Sequence, residues 1–180
     1  MKGIVFTEFV EMVEARFSPE MADDLLDTTP LESGGAFTAV GTYDHRELVA
    51  MVLNLSERTG VPVPALVKAF GQYLFGRFYV LYPVFFEGVS DALDFLARIE
   101  DVIHVEVRKL YPDAELPRFD IARPAHDQLV MIYRSDRHMG DLAEGMIEAC
   151  IEHYGEPVTL VREVMPDDAS AIRFALQKVA

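Results

Sequence analysis

Cysteine is nearly absent from this chain, and tryptophan is absent altogether: Cys150 is the only thiol. One cysteine makes no intrachain disulfide and supplies no Cys-rich metal site, so a reducing compartment is expected. Basic residues are also scarce. Lys and Arg number 16 against 30 Asp and Glu, a formal net charge of −14. Nucleic acids and anionic membrane surfaces both need clustered cations, so neither is expected as a partner. Long hydrophobic runs are missing too. The longest, Phe78 to Phe86, is broken by Pro83 and bounded by Arg77 and Glu87, whereas a membrane span takes about 20 apolar residues. Near the N-terminus, Ile4-Val5-Phe6 is followed by Glu8, Glu11 and Glu14, unlike a secretory signal. The expected location is therefore cytoplasmic.

What is present suffices for a core. The 180 residues are 51% hydrophobic and 11% aromatic, which suits one domain over residues 1–180 rather than a disordered chain. Val5, Phe9 and Val13 recur every fourth residue and predict a helix over 1–17, with Glu8, Glu11 and Glu14 elsewhere on the cylinder. Ser18-Pro19-Glu20 opens a short helix that Thr28-Thr29-Pro30 ends, and Ser33-Gly34-Gly35 marks a loop. Asp44 caps a helix over 45–59 that Gly60 stops. Another helix is expected from Pro64 to Tyr79, and one long helix over 91–111, capped by Ser90 and ended by Pro112.

After Pro117 the period changes. Arg118–Ala125 and Gln128–Ser135 predict strands, a helix follows over 139–154, and Pro157–Met165 with Ala171–Lys178 suggests a hairpin around a loop holding Pro166-Asp167-Asp168. Ala171 to Leu176 also fits a helix. Helices first and strands late is an α+β order. There are no repeats and no low-complexity tract.

Three features carry chemistry. On an extended strand Tyr133, Ser135 and Arg137 share a face and offer two hydroxyls and a guanidinium fork, which suits a carboxylate or phosphate. A solvated strand end with Arg137 paired to an acid fits the same residues. His104 flanks the apolar arc of Leu96, Ile99, Ile103, Val107 and Leu110. A neutral imidazole there can supply one axial metal bond, or serve as a hydrogen-bonded, half-buried side chain. No second ligand has H-E-x-x-H spacing, which disfavours zinc. His45, His126, His138 and His153 read as surface residues. The i, i+4 pairs Val5/Phe9, Leu74/Phe78 and Leu142/Met146 form apolar patches, either ordinary core or the walls of an apolar cavity. No G-x-G-x-x-G, P-loop or G-x-S-x-G occurs, and Cys150 beside Ile147 and Ile151 reads as structural, so no enzyme activity is expected.

Together these residues resemble the haem-based nitric oxide/oxygen-binding (H-NOX) family, a bacterial stand-alone member related to the haem domain of soluble guanylate cyclase. The resemblance spans essentially the whole chain. Its residues are Met1-Lys2-Gly3, His104 in Val102-Ile103-His104, Leu116-Pro117-Arg118, and Y-x-S-x-R as Tyr133, Ser135 and Arg137. It implies noncovalent haem b, consistent with the absence of C-x-x-C-H. It further implies His104 as proximal iron ligand, Tyr133, Ser135 and Arg137 on the haem propionates, and Pro117 pressed on the macrocycle. A helical N-terminal part, about 1–62, would precede a haem-ligating C-terminal part, about 63–180, with antiparallel strands and helices and the haem buried between them.

The function implied is a gas sensor without a catalytic domain, most selective for NO. NO would weaken the His104–iron bond, and the relaxing haem would signal to a separate histidine kinase or cyclic-di-GMP enzyme. Oxygen-holding members place a distal Tyr at the fifth residue after the motif Arg; here that residue is Leu142. Its expected neighbours Val5, Phe9, Leu74, Phe78 and Met146 carry no O–H or N–H donor, so NO and CO are the expected ligands. Two other classes remain open: an oxygen-binding or redox haem protein, and a cofactor-free acidic interaction domain.

Overall fold

A computed structural model describes residues 1–166 and 168–179. Four helices come first: α1 (Gly3–Arg16), α2 (Pro19–Thr28), α3 (His45–Thr59) and α4 (Val63–Leu81). The expected caps form. Ser18 Oγ accepts the Met21 N–H at 3.1 Å, with Pro19 in the first turn, and Asp44 accepts the Arg46 N–H at 2.9 Å. The first N–H groups of α1 are satisfied by another segment: Gly3 donates to Gly41 at 2.8 Å and Ile4 to Ala39 at 2.9 Å. One acid departs from expectation. Glu8 is buried and accepts two bonds from Arg77 of α4, at 2.6 and 3.3 Å. A buried carboxylate needs such a partner, so the pair fixes α1 against α4.

The long helix expected over 91–111 is divided. Asp91, not Ser90, caps α5 (Ala92–Ala97) by accepting the Asp94 N–H at 3.0 Å. Ile99–Ile103 then forms a π turn, in which the Ile103 N–H reaches back to Arg98 O at 3.1 Å. Helix α6 (His104–Leu110) follows. A π turn inserts one residue, and each residue of a helix advances the azimuth by about 100°. His104 therefore takes the azimuth Ile103 would hold in an unbroken helix, the middle of the apolar arc rather than its flank.

Strands β1 (Arg118–Ala125), β2 (Gln128–Arg134), β3 (Val158–Met165) and β4 (Asp168–Lys178) make one antiparallel sheet in the order β1-β2-β4-β3, and α7 (Gly140–Tyr154) lies between β2 and β3 in sequence. This is the expected α+β arrangement, and residues 171–178 are strand. The loop before β4 is shorter than expected: Asp168 already pairs with Met165, and Asp167 lies outside the described residues. Strand β2 ends at Arg134, so alternation does not extend to Arg137. Ser135 Oγ instead accepts the Arg137 N–H at 3.2 Å in a turn, with His138 left-handed at φ 52°.

Two buried clusters result. Phe6, Phe9, Leu25, Met51, Leu55, Phe70 and Leu74 gather the four N-terminal helices, while Phe75, Leu93, Phe95, Leu129, Met131, Ile147 and Phe174 join α5, the sheet and α7. Helix α4 serves both, changing allegiance between Leu74 and Phe75. Among the described residues no helix is long and apolar enough to cross a membrane.

Candidate functional site

Helix α4 meets α7 at two glycines. A Cβ on Gly71 would strike the Leu142 carbonyl, and one on Gly145 the Lys68 carbonyl. Only side chains of hydrogen allow this approach. It brings the apolar faces of α4 and α7 onto one wall of a cleft between the two buried clusters.

The cleft comprises two adjoining cavities of about 230 and about 220 Å³. Val5, Phe78, Met146 and His104 line both; Leu142 lines the first and Leu74 the second. Phe9 lines neither. It is fully buried, its ring edge-on to Phe70 at a centroid distance of 5.2 Å. One turn along α1 from Val5, its inward direction meets α4 instead of the opening.

His104 lines both cavities with the apolar wall, its side chain 12% exposed. Nδ1 lies 3.2 Å from Glu100 Oε2. Burial pushes the imidazole below its ordinary pKa, against the pull of Glu100. Burial pushes the Glu100 carboxyl up, but the Phe119 N–H, His104 and Arg108 together hold it below its usual value. An ionised carboxylate only accepts, so Nδ1–H donates and the Nε2 lone pair is free. The hydrogen bonds of the described residues include none to Nε2.

At the rim of the first cavity lie Tyr133, Ser135, Arg137 and Pro117. The structure brings these four together with His104 through a turn rather than through strand alternation. The Tyr133 oxygen accepts the Met139 N–H at 3.2 Å, leaving its O–H to donate. Arg137 is 14% exposed and donates to the Glu115 carbonyl at 2.7 Å and to the Glu115 carboxylate. That carboxylate, on a side chain 82% exposed, stands where an anionic ligand group would meet the guanidinium.

Sequence reasoning missed Tyr82 and Tyr111, which line the second cavity with their hydroxyls 3.2 Å apart. Burial, then the bond to Tyr111, pushes the Tyr82 phenol up, so it stays protonated. Helical spacing signals both: Tyr82 follows Phe78 by four residues, and Tyr111 follows His104 by seven. Of the other histidines, His126 is 95% exposed at the β1–β2 turn, His138 is exposed, His45 is partly covered beside Asp44, and His153 is exposed against the Tyr79 ring. Cys150 is buried, and burial pushes its thiol up.

No group of three or more His, Cys, Asp or Glu able to hold a metal ion occurs among the described residues. The donor set is instead one free imidazole nitrogen facing an apolar cleft, with a cationic fork and hydroxyls at its edge. That set fits a planar cofactor that brings its own metal and carries carboxylates at one side, the features of a haem. The fold and the cleft thus define a haem-binding α+β protein.

The family model described as haem-NO-binding matches residues 2–162. The chain belongs to that family, the H-NOX proteins, whose cofactor is haem iron. The unliganded Fe(II) H-NOX protein of K. algicida is 37% identical, with a TM-score of 0.92 over 100% of this chain and 97% of that one. The S. oneidensis H-NOX protein in its Fe(II)NO state is 26% identical, with a TM-score of 0.91 over 100% of both chains. The Shewanella woodyi H-NOX protein, solved with IWP-051 in the Fe(II)CO state, is 38% identical, with a TM-score of 0.85 over 99% of this chain and 95% of that one. No curated protein matches the chain.

Proposed function

We propose that this protein is an NO-selective gas sensor with no catalytic activity of its own, located in the cytoplasm and signalling to a separate effector, a histidine kinase or cyclic-di-GMP enzyme. The observation that supports the selectivity is the apolar wall of the cavities that His104 lines. Val5, Leu74, Phe78, Leu142 and Met146 present no O–H or N–H donor to the cavity. Noncovalent haem b, when bound, would supply an iron able to take a diatomic gas. A wall without donors would offer no hydrogen bond to oxygen, a ligand that needs one, whereas NO and CO would lose nothing there.

The chain's residues divide the work. His104 supplies the proximal nitrogen through Nε2. Arg137, with Ser135 and Tyr133, would hold the two propionates, Arg137 giving up the exposed Glu115 carboxylate for one of them. Pro117 would bear on the macrocycle, while Val5, Leu74, Phe78, Leu142 and Met146 would wall the space left for a gas and Phe9 packs behind them. Residues of about 1–62 would form one part and about 63–180 the haem-ligating part, with α4 packed against both buried clusters. The relatives solved with NO and with CO support ligands of this kind.

Visible spectra of the haem-reconstituted ferrous protein under NO, CO and air test the proposal. NO and CO bind, oxygen is not retained in air-saturated buffer, and Leu142→Tyr gains measurable oxygen retention. Retention by the wild type overturns the selectivity, and a chain that takes up no haemin overturns the whole assignment. One observation favours oxygen as a second reading. In the Tyr82–Tyr111 pair one phenol donates to the other, so a second O–H stays available at the cavity. Loss of oxygen retention in Tyr82→Phe would identify that donor.

A further inference from the structure

We propose that Glu100 is the positioning residue for His104: it sets how strongly the imidazole donates to a metal and ties the ring's position to strand β1. The inference rests on His104 being the axial ligand. Glu100 sits inside the π turn and His104 is the first residue after it, so the carboxylate and the ring come from the same irregular turn. The contact runs from Nδ1 to Oε2 at 3.2 Å. It fixes the tautomer with the proton on Nδ1 and the lone pair on Nε2, toward the cavity. A carboxylate is a stronger acceptor than a carbonyl or water, so it shifts electron density into the ring and raises the basicity of Nε2.

Glu100 itself cannot rotate freely. The same Oε2 accepts the Phe119 N–H of β1 at 3.0 Å, and Oε1 faces Arg108 at 3.5 Å. Phe119 in turn pairs with Tyr133 across β1 and β2, their ring centroids 5.6 Å apart. One oxygen is therefore shared by the imidazole and by the strand that leads to the rim. A displacement of the ring toward or away from the cavity pulls on an atom that also holds β1. The sequence shows only a Glu four residues before a His, which reads as a helical pair on the surface.

Resonance Raman spectra of the ferrous holoprotein test this, with His104→Gly as the control. The iron–imidazole stretching band disappears in His104→Gly. In Glu100→Gln it moves to lower frequency, because the amide is a weaker acceptor. Haem is also lost faster, by about the 10–100-fold typical of outer-shell substitutions at metal sites. Glu100→Asp keeps the charge with a shorter reach and gives a band between the two. If Glu100→Gln does not fold, the Glu100→Asp band alone decides. A wild-type frequency in Glu100→Gln, or in Glu100→Asp where that variant stands alone, overturns the proposal while leaving His104 as ligand. A band that survives in His104→Gly overturns the ligand assignment itself and this inference with it.

Discussion

The wall made by α4 and α7 and the floor made by the π turn and α6 face one cleft with opposite chemistry. The wall is shaped by packing. Gly71 and Gly145 let two helices touch, and the side chains beyond them are apolar and donor-free. The floor is shaped by hydrogen bonds: Glu100 is held by β1 and His104 by Glu100. A packed wall yields to changes of volume, whereas a hydrogen-bonded floor yields to changes of charge or donor count. The two sides can thus be broken separately.

The floor should give the largest effect. His104→Gly removes the free imidazole nitrogen of the cleft, and haem uptake falls to a low level that added imidazole restores, as read by haemin titration. Uptake equal to wild type would remove His104 from the site. The rim comes next. Arg137→Ala deletes charge-assisted hydrogen bonds worth about 1.5–3 kcal/mol, so haem dissociates faster than from Ser135→Ala, with Arg137→Lys intermediate. Equal dissociation rates for Arg137→Ala and wild type would assign Arg137 to tying down Glu115 alone.

The wall responds through packing. Gly145→Ala drives a methyl into the α4 backbone at Lys68, with Gln72 N also close, at 3.1 Å. Overpacking of this kind costs about 1–3 kcal/mol, offset in part by about 1 kcal/mol of helix propensity, and thermal unfolding of the apoprotein measures the balance. A variant more stable than wild type would mean that the helices part freely there.

The smallest effect is a pH dependence beside the same crossing. Glu144 accepts from Lys68 at 3.0 Å and from Arg162 at 2.6 Å. Burial pushes its carboxyl up, but the two cations outweigh burial and hold it below the ordinary 4.5. A depressed folded pKa contributes stability that is fully present above pH 4.5 and is lost as pH falls through the folded value. Lys68→Met should make the acid limb of the stability curve shallower, and an unchanged limb would show that Arg162 alone holds Glu144.

Much of the helical half was legible because its signals are local. Ser18 and Asp44 are caps whose partners lie two or three residues away, and the boundaries of α2 and α3 follow from them. The 91–111 segment was not legible as it stands. Its apolar residues keep an α-helical spacing, and a one-residue insertion leaves no mark in composition. Glu8 appeared to be one of three outward acids because its partner Arg77 lies in a different helix. The Y-x-S-x-R residues were found through strand alternation, yet they converge through a turn. Tyr82 and Tyr111 each keep helical spacing from a cavity residue, but the hydroxyl pair they form joins two elements and has no short-range signature.

The order of residues by itself determined most of the helix and strand pattern, the apolar faces of α1, α4 and α7 and the single centrally placed histidine, since each rests on spacing along one element; the family resemblance rests instead on short motifs spread over the chain. Tertiary structure alone decided that His104 turns to the middle of the arc, that Glu100 and β1 hold it there, that Phe9 packs away from the cleft, and that Arg137 meets Glu115. Those outcomes depend on contacts between elements, and on a wide turn whose extra residue is stabilised by what packs around it.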